Sequence, residues 1–248
     1  MRGRKKASVL FLLFLVGLLW LYGCGSPSPD SEVMADIEEE SDLDSGEELV
    51  YERSLELQYA ENFKVDYYEG GYTLLTITMD GTQFLIVPEN GDVPQTLDKE
   101  IVVLRRPIKD IYLVASSAMD IFSELDGLNS ITFSGQKEDG WFIEAAREEM
   151  QKGNILYAGK YSKPDYELLV SNHCALAIEN MMISHSPEVV ENLENFGIPV
   201  MIDYSSYESH PLGRVEWVKF YGALLGKEEE AERIFTDQAA ILERVSAS

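Results

Sequence analysis

Two histidines with acidic neighbours are the side chains with the clearest capacity for chemistry. His185 and His210 each follow a predicted strand, and Glu179 and Glu208 lie close to them in the sequence. A neutral imidazole can ligate a metal ion or hydrogen-bond to the oxygens of a chelator. A zinc site needs three or four ligands, and this spacing matches no known metal motif. Metal ligation, polar contact and a purely structural role therefore all stay open for the two histidines.

Recognisable catalytic motifs are missing from the sequence. It contains no nucleophile elbow, no P-loop, no HExxH helix and no paired carboxylates in a recognisable frame. Ser116 and Ser117 have no base at an interpretable spacing. A metal-dependent hydrolase or chelatase that uses His173, His185 and His210 is the enzymatic alternative. The sequence favours a protein that is not an enzyme.

From residue 110 onward, strands and helices alternate, and these elements must position the polar side chains. Short apolar strands recur at intervals of roughly 20–25 residues, with helical segments between them. This alternation predicts βαβ units and a parallel sheet with helices on its faces. The predicted strands are 111–114, 130–133, 155–157, 175–178 and 199–202. The predicted helices are 117–125, 140–152, 164–172 and one that begins at Ser186-Pro187 and ends at Gly197.

The segments on either side of this alternation complete the predicted fold. Residues 63–88 alternate apolar and polar side chains around Gly-Gly and Asp-Gly pairs, which predicts a small antiparallel β meander. Residues 214–225 and 227–245 predict two helices, the second long and amphipathic. The predicted class is α/β, with an α/β ligand-binding lobe at 62–213 and a helical segment at 214–248.

Loops that follow parallel strands meet at one edge of the sheet, where ligands of open α/β proteins bind. Here these loops are rich in aromatic, basic, Met and His residues, which suits a half-open pocket for a large, partly aromatic ligand. Trp141 and Tyr161 are either pocket walls or core edges. Arg214 either pairs with an anionic ligand or holds the Glu208 loop or the start of its helix. The candidate ligand-binding residues are Ser117, Met119, Lys137, Trp141, Tyr161, Met182, His185, Tyr207, His210 and Arg214.

The N-terminus has the pattern of a secretion signal. Basic residues precede an apolar run, Val9–Tyr22, which is too short for a comfortable membrane span of about 20 residues. Leu21, Gly23 and Cys24 resemble the bacterial lipobox, in which the cysteine thiol becomes lipidated, although Tyr22 is bulkier than usual. We expect a signal peptide over 1–24, a lipid anchor on Cys24 and an extracytoplasmic location. An uncleaved signal anchor is the alternative.

Composition predicts a disordered acidic tether at residues 25–61. This segment holds Ser, Pro and many acids, with Arg53 as its only basic residue. Repulsion between like charges would extend it. The whole chain carries a formal net charge of -24, which argues against nucleic-acid binding. The acidic spacing matches no EF-hand loop, and Cys174 is expected to be a buried small hydrophobe.

Three stretches carry a resemblance to a known family: YLVASSAMDIFSELDGLNSITFSG, GKYSKPDYELLVSNHCALAIE and SYESHPLGRVEWVKFYGALLGKEEEAERIF. They resemble the substrate-binding lipoproteins of bacterial ABC importers, in the branch that carries iron–siderophore complexes, haem or cobalamin. The resemblance runs from about Ile101 onward and is closest to versions from Gram-positive, clostridial-type bacteria. In that family a long rigid helix joins two α/β lobes, and the ligand lies between them. Residues 227–245 match that helix, which implies an N-terminal lobe without its second lobe and with weaker ligand binding.

The same resemblance implies partners and a cargo. Each lobe in that family presents an exposed glutamate to arginines of the permease, and Glu167 matches this position. Such charged pairs set orientation and association rate more than affinity. No resident cofactor is implied, because the iron complex, haem or cobalamin is the ligand. A solvated surface glutamate is the alternative for Glu167, and a sensing or adhesive lipoprotein is the alternative for the chain.

Overall fold

The computed structural model describes residues 48–246, so the predicted signal peptide, Cys24 and most of the predicted tether lie outside the described residues. The strands are β1 (Tyr51–Ser54), β2 (Phe63–Tyr68), β3 (Tyr72–Ile77), β4 (Gln83–Val87), β5 (Val102–Arg105), β6 (Ile111–Leu113), β7 (Ile131–Ser134), β8 (Leu156–Tyr157), β9 (Gly159–Lys160), β10 (Lys163–Pro164), β11 (Leu176–Asn180) and β12 (Val200–Asp203). The α-helices are α1 (Ser116–Glu124), α2 (Glu144–Gln151), α3 (Tyr166–Ser171), α4 (Pro187–Asn195), α5 (Pro211–Leu225) and α6 (Glu228–Ser246).

Strands β1–β5 form a five-stranded sheet in chain order. Neighbours from β1 to β4 are antiparallel, and β5 runs parallel to β4. The predicted meander at 63–88 is confirmed as β2–β4. Its alternation has a direct cause, because Phe63, Val65 and Tyr67 face the core while the residues between them are more exposed. Gly81 turns the chain from β3 to β4 with a φ of +79°, which glycine adopts without a steric penalty.

A further strand precedes this meander in the chain. Strand β1 pairs with β2, and the backbone N–H of Leu55 donates to the carbonyl of Val65 at 2.8 Å. The prediction of a disordered tether up to Glu61 is therefore wrong for residues 51–61. Composition misses this strand because all four of its residues are exposed, so it shows no apolar alternation.

The second sheet confirms the predicted α/β class. It is parallel throughout, with the strand order β12-β11-β6-β7-β8. Each predicted strand lies within two residues of its expected bounds. Helices α1, α2 and α5 pack on one face, and α3 and α4 pack on the other. Because both faces are covered, these strands read as apolar runs rather than as alternating ones.

Helix α5 joins the two sheets into one core. Its Trp217 and Tyr221 are fully buried, and the Trp217 ring lies 5.1 Å from that of Phe63 on β2. The predicted long amphipathic helix is confirmed as α6, which packs on α5. Gly222 permits this approach, because a Cβ there would lie 2.4 Å from the Cβ of Ala231. Among residues 48–246, no helix has the length and apolar character needed to cross a membrane.

The region before α3 differs from the expected helix at 164–172. Pro164 lies instead in a short hairpin formed by β9 and β10, and the helix begins at Tyr166. Asp165 caps the helix, because its Oδ1 accepts a hydrogen bond from the backbone N–H of Leu168 at 3.0 Å. The proline marks the boundary, but the capping aspartate determines the first helical residue.

Candidate ligand-binding edge

The strand order of the parallel sheet reverses between β6 and β11, and this reversal locates the candidate site. The chain leaving β6 enters α1 on one face, whereas the chain leaving β11 turns through Met181–His185 into α4 on the other face. Such a switch point leaves a crevice outside the carboxyl ends of the strands, where ligands bind. We call the surface formed by the loops after these five strands the strand-end edge. Its loops are residues 114–117, 135–143, 158–165, 181–186 and 204–210.

A buried carboxylate, Asp203, organises one end of the strand-end edge. Its Oδ1 accepts hydrogen bonds from the hydroxyl groups of Ser117 at 2.9 Å and of Ser205 at 2.5 Å. Its Oδ2 accepts one from the hydroxyl of Tyr221 at 2.6 Å. Burial, together with the charge of Asp203, raises the pKa of Tyr221 well above its usual value. All three hydroxyl groups donate their protons to Asp203. Ser117 can therefore offer a ligand only the lone pairs of its oxygen.

A cleft of about 230 Å³ opens beside this network, between α1, α5 and α6. Ser117 and Arg214 both line it, together with the acidic Asp120 and Glu124 of α1. Arg214 is exposed and takes part in no salt bridge among the described residues. It does not hold the Glu208 loop, because the Glu208 carboxylate is bound by other groups. Contact of Arg214 with an anionic ligand stays a prediction, and a role at the start of α5 stays its alternative.

Two predicted contacts are core residues instead. The side chain of Met119 is fully buried in the cluster that contains α5, and Trp141 is 4% exposed. The indole N–H of Trp141 donates to the hydroxyl of Ser134 at 2.9 Å. Neither side chain reaches the surface, so the structure does not place Met119 or Trp141 in contact with a ligand. The neighbouring Phe142, which the sequence did not single out, is fully exposed at this edge.

Five predicted contacts lie at or near the surface of the strand-end edge. Lys137, Met182, His185 and Tyr207 are exposed, and Tyr161 is half-buried. They come from four different loops, which the parallel sheet brings to the same edge as expected. They do not form one cluster, because the loops of Lys137 and Tyr161 lie on one side of the switch point and that of Tyr207 on the other. Their contact with a ligand stays a prediction.

The histidines do not converge on a metal site. His210 caps α5, since its Nδ1 accepts a hydrogen bond from the backbone N–H of Leu212 at 3.1 Å, and its ring stacks on Tyr59 with centroids 4.6 Å apart. Only its Nε2 is left for a ligand. His185 ends the turn after β11, and His173 lies in the turn after α3. Residues 48–246 contain no group of three or more His, Cys, Asp or Glu side chains that could hold a metal ion.

Two buried glutamates hold the backbone of the N-terminal segment, a role that the sequence did not indicate. Glu216 accepts hydrogen bonds from the backbone N–H groups of residues 58–60 at 2.8–3.1 Å. Glu208 accepts from those of residues 61 and 62, and from the indole N–H of Trp217. Lys219 pairs with Glu216 at 3.3 Å. We call Glu208, Glu216 and the backbone of residues 58–62 the segment clamp.

Glu179, near the strand-end edge, is a buried side chain that lacks hydrogen-bond partners. It occupies β11 one residue before the strand ends, is fully buried, and has no hydrogen-bond partner for either carboxyl oxygen. Burial raises its pKa to about 8. A carboxyl group in this state is protonated at neutral pH.

Glu167 lies where the resemblance requires an accessible residue. It is exposed in the first turn of α3, whose cap, Asp165, adds a second acidic side chain there. Nothing in the described residues shows a partner for Glu167. Its contact with a permease stays a prediction.

Comparison with known proteins finds lipoproteins and binding proteins, and no family model matches the chain. Two uncharacterized lipoproteins of Methanocaldococcus jannaschii are similar to it. MJ0878 is 23% identical, covering 72% of this chain and 48% of its own length, and MJ0872 is 28% identical, covering 76% and 49%. The chain thus spans about half the length of the curated relatives that it matches.

Several solved structures share part of the fold. A periplasmic haem-binding protein from Pseudomonas aeruginosa is 18% identical, with a TM-score of 0.44, over 57% of this chain and 46% of its own. A periplasmic binding protein from Veillonella parvula is 16% identical, with a TM-score of 0.46, over 57% and 47%. The petrobactin-binding protein YclQ from Bacillus subtilis is 12% identical, with a TM-score of 0.45, over 70% and 50%.

Proposed function

We propose that this chain is the extracytoplasmic substrate-binding component of an ABC importer, and that it captures a metal chelate, namely an iron–siderophore complex, haem or cobalamin. The observation that carries the proposal is the strand-end edge. It opens at the switch point of a parallel sheet, stands on the hydrogen-bonded base around Asp203, and presents exposed cationic and aromatic side chains. The proposed role of this edge in transport rests on the resemblance of the sequence from Ile101 onward.

Capture at this edge uses charge and stacking. Lys137 and Arg214 are exposed cations in a chain with a formal net charge of -24. Each makes the local potential more positive than that of the surrounding acidic surface, which favours an anionic chelate. The Nζ of Lys137 lies 5.7 Å from the centre of the Tyr157 ring, which pairs a cation with an exposed aromatic surface. No step of capture requires a bond to be broken, so we propose a binding protein and not an enzyme.

The proposed location is outside the cytoplasm, with a lipid anchor on Cys24. Two considerations support it: the lipobox-like sequence that ends at Cys24, and the names of the two curated relatives, both of which are lipoproteins. Membrane attachment would keep the strand-end edge close to the permease. Delivery then depends on Glu167, which we propose as the permease contact on this lobe.

Ligand capture is tested by titrating the full chain in detergent with a ferric siderophore, haem and cobalamin, with free iron and zinc as controls. We expect saturable binding of one chelate, and we expect Arg214→Ala to weaken it by about tenfold, the loss typical of one charged contact. Arg147→Ala is the matched control, because Arg147 is also an exposed arginine and lies on α2. Failure of every chelate to bind would refute the proposal.

The permease contact is tested by chelate uptake into cells that carry the importer. Glu167→Lys is expected to reduce uptake at least several-fold while leaving the affinity for the chelate unchanged, because charge reversal repels permease arginines. Glu188→Lys provides the control, since Glu188 is also an exposed acid in the first turn of its helix. Equal loss of uptake in both variants would exclude a specific role for Glu167.

A further inference from the structure

Glu179 has a geometry that neither the fold nor the proposed capture of a chelate explains. Its side chain is fully buried, and neither carboxyl oxygen has a hydrogen-bond partner. Buried polar groups are almost always paired, so an orphaned carboxyl calls for a specific reason. Glu179 also lies one residue from the carboxyl end of β11, the strand that borders the switch point.

Among the described residues, no compensating charge acts on Glu179. By the alternation of β11 it shares a face with Ala177, which belongs to the apolar cluster under α3 and α4. The phenol of Tyr112 on β6 lies close enough to interact electrostatically with Glu179, and its hydroxyl donates to the carbonyl of Gly159 at 2.9 Å. Around that phenol lie Tyr157, Tyr166 and Cys174, none of which is a basic side chain.

The charged groups on the neighbouring elements point elsewhere. Asp203 on β12 is bound to hydroxyl groups on the opposite face of the sheet. The acidic side chains Glu188, Glu191 and Glu194 of α4 are exposed, and so is His185 in the turn before it. No described salt bridge involves Glu179.

The turn that follows Glu179 is held by short-range hydrogen bonds and by the packing of two side chains. The side chain of Asn180 accepts a hydrogen bond from the backbone N–H of Met182 at 2.9 Å, and the hydroxyl of Ser184 donates to the carbonyl of Met181 at 2.7 Å. Of the residues of this turn, Ile183 is buried in the same cluster as Ala177, and Met181 packs, partly buried, against the other cluster. Movement of this turn would therefore expose the buried end of β11 to water at the strand-end edge.

We propose that Glu179 is a buried proton-binding group whose ionisation opens the turn Met181–His185, so that proton release reshapes the strand-end edge. An ionised carboxylate without a partner is costly in an apolar cluster, and since no described group donates to Glu179, the donor would be water. We expect that water to enter when the turn lifts Ile183, its buried side chain, from this cluster. Burial places the titration near pH 8, where the protein responds to a modest change in external acidity.

The first test needs no variant. The infrared spectrum of the full chain in detergent, recorded in heavy water at neutral pH, is expected to contain the carbonyl stretch of one protonated carboxylic acid. That band is expected to disappear as the pH is raised through 8. Glu179→Gln should lack the band at every pH, and Glu167→Gln, which changes an exposed glutamate, should retain it. Absence of the band from the wild-type chain would overturn the proposal.

Movement of the turn is followed by nuclear magnetic resonance with ¹³C-methyl isoleucine. The Ile183 methyl signal is expected to shift with the same midpoint as the infrared band, and to be independent of pH in Glu179→Gln. Ile131, a buried isoleucine on β7, is the internal control and should not titrate. A titrating carboxyl band with a constant Ile183 signal would show that the turn does not open.

A third measurement rests on the proposed function. Affinity for the captured chelate is expected to change by at least threefold between pH 6.5 and 9 in the wild-type chain, and to be constant in Glu179→Gln. If no chelate binds, the proposed cargo fails while the infrared and methyl results still decide the role of Glu179. If a chelate binds equally at both values of pH, the turn does not control the ligand edge.

Discussion

Glu179 is protonated in the folded chain at neutral pH because its ionised form would have no hydrogen bond in an apolar cluster. Its pKa of about 8 in the folded state lies above the ordinary value of 4.5. Between these two values, the folded state keeps a proton that the unfolded state has lost. The contribution of Glu179 to folding stability therefore falls as the pH rises through this window, and it levels off above pH 8.

Replacing Glu179 by glutamine removes this ionisation. We expect the free energy of unfolding of Glu179→Gln to exceed that of the wild-type chain at pH 9 by a few kcal/mol, because each unit of pKa shift corresponds to about 1.4 kcal/mol. Near pH 5 the two proteins should be similar. Urea denaturation at both values of pH measures the difference. An equal difference at both values would show that Glu179 is already ionised or hydrated in the folded state.

At the scale of elements, sequence periodicity predicts the strands and helices that bury an apolar face. It does not predict the elements that are exposed or held by polar contacts. The strands of the parallel sheet and helix α6 were found because apolar residues recur at the right spacing. Strand β1 was missed because its residues are all exposed. The segment clamp was missed because Glu216 binds residues more than 150 positions away, and no local pattern encodes such a distance. Within the candidate site, loop membership was predictable, whereas the inward orientation of Met119 and Trp141 depends on the tertiary fold.

The contribution of the segment clamp to folding stability can be tested by substitution. Glu216→Gln removes a fully buried charge that holds residues 58–60 and pairs with Lys219, so it is expected to cost about 3 kcal/mol of folding stability. Denaturant unfolding measures this loss, and hydrogen exchange of the amides at 58–60 should accelerate. Glu232→Gln is the control, because Glu232 also pairs with Lys219 but is 52% exposed. Its loss should stay below about 1 kcal/mol, and a comparable loss in both variants would contradict the clamp.

At the scale of the described residues as a whole, one hydrophobic cluster unites both sheets. Phe63 from the antiparallel sheet, Ile111 from the parallel sheet and Phe220 from α5 all belong to it. The Phe63 ring lies 5.3 Å from that of Phe220. A core shared in this way means that neither sheet can lose its packing without exposing apolar surface of the other. The described part of the chain should therefore unfold in one cooperative step.

Phe63→Ala tests this cooperativity, because Phe63 is buried where the antiparallel sheet meets α5. Its loss is expected to cost about 3–5 kcal/mol, as is usual for a phenylalanine removed from a core. Thermal unfolding is followed by far-ultraviolet circular dichroism and by tryptophan fluorescence, to which the buried Trp141 and Trp217 contribute. Both signals should move to the same lower temperature, and the exposed Val50→Ala should leave them unchanged. Separation into two transitions would mean that the antiparallel sheet unfolds independently, and that the strand-end edge is supported by the parallel sheet and its helices alone.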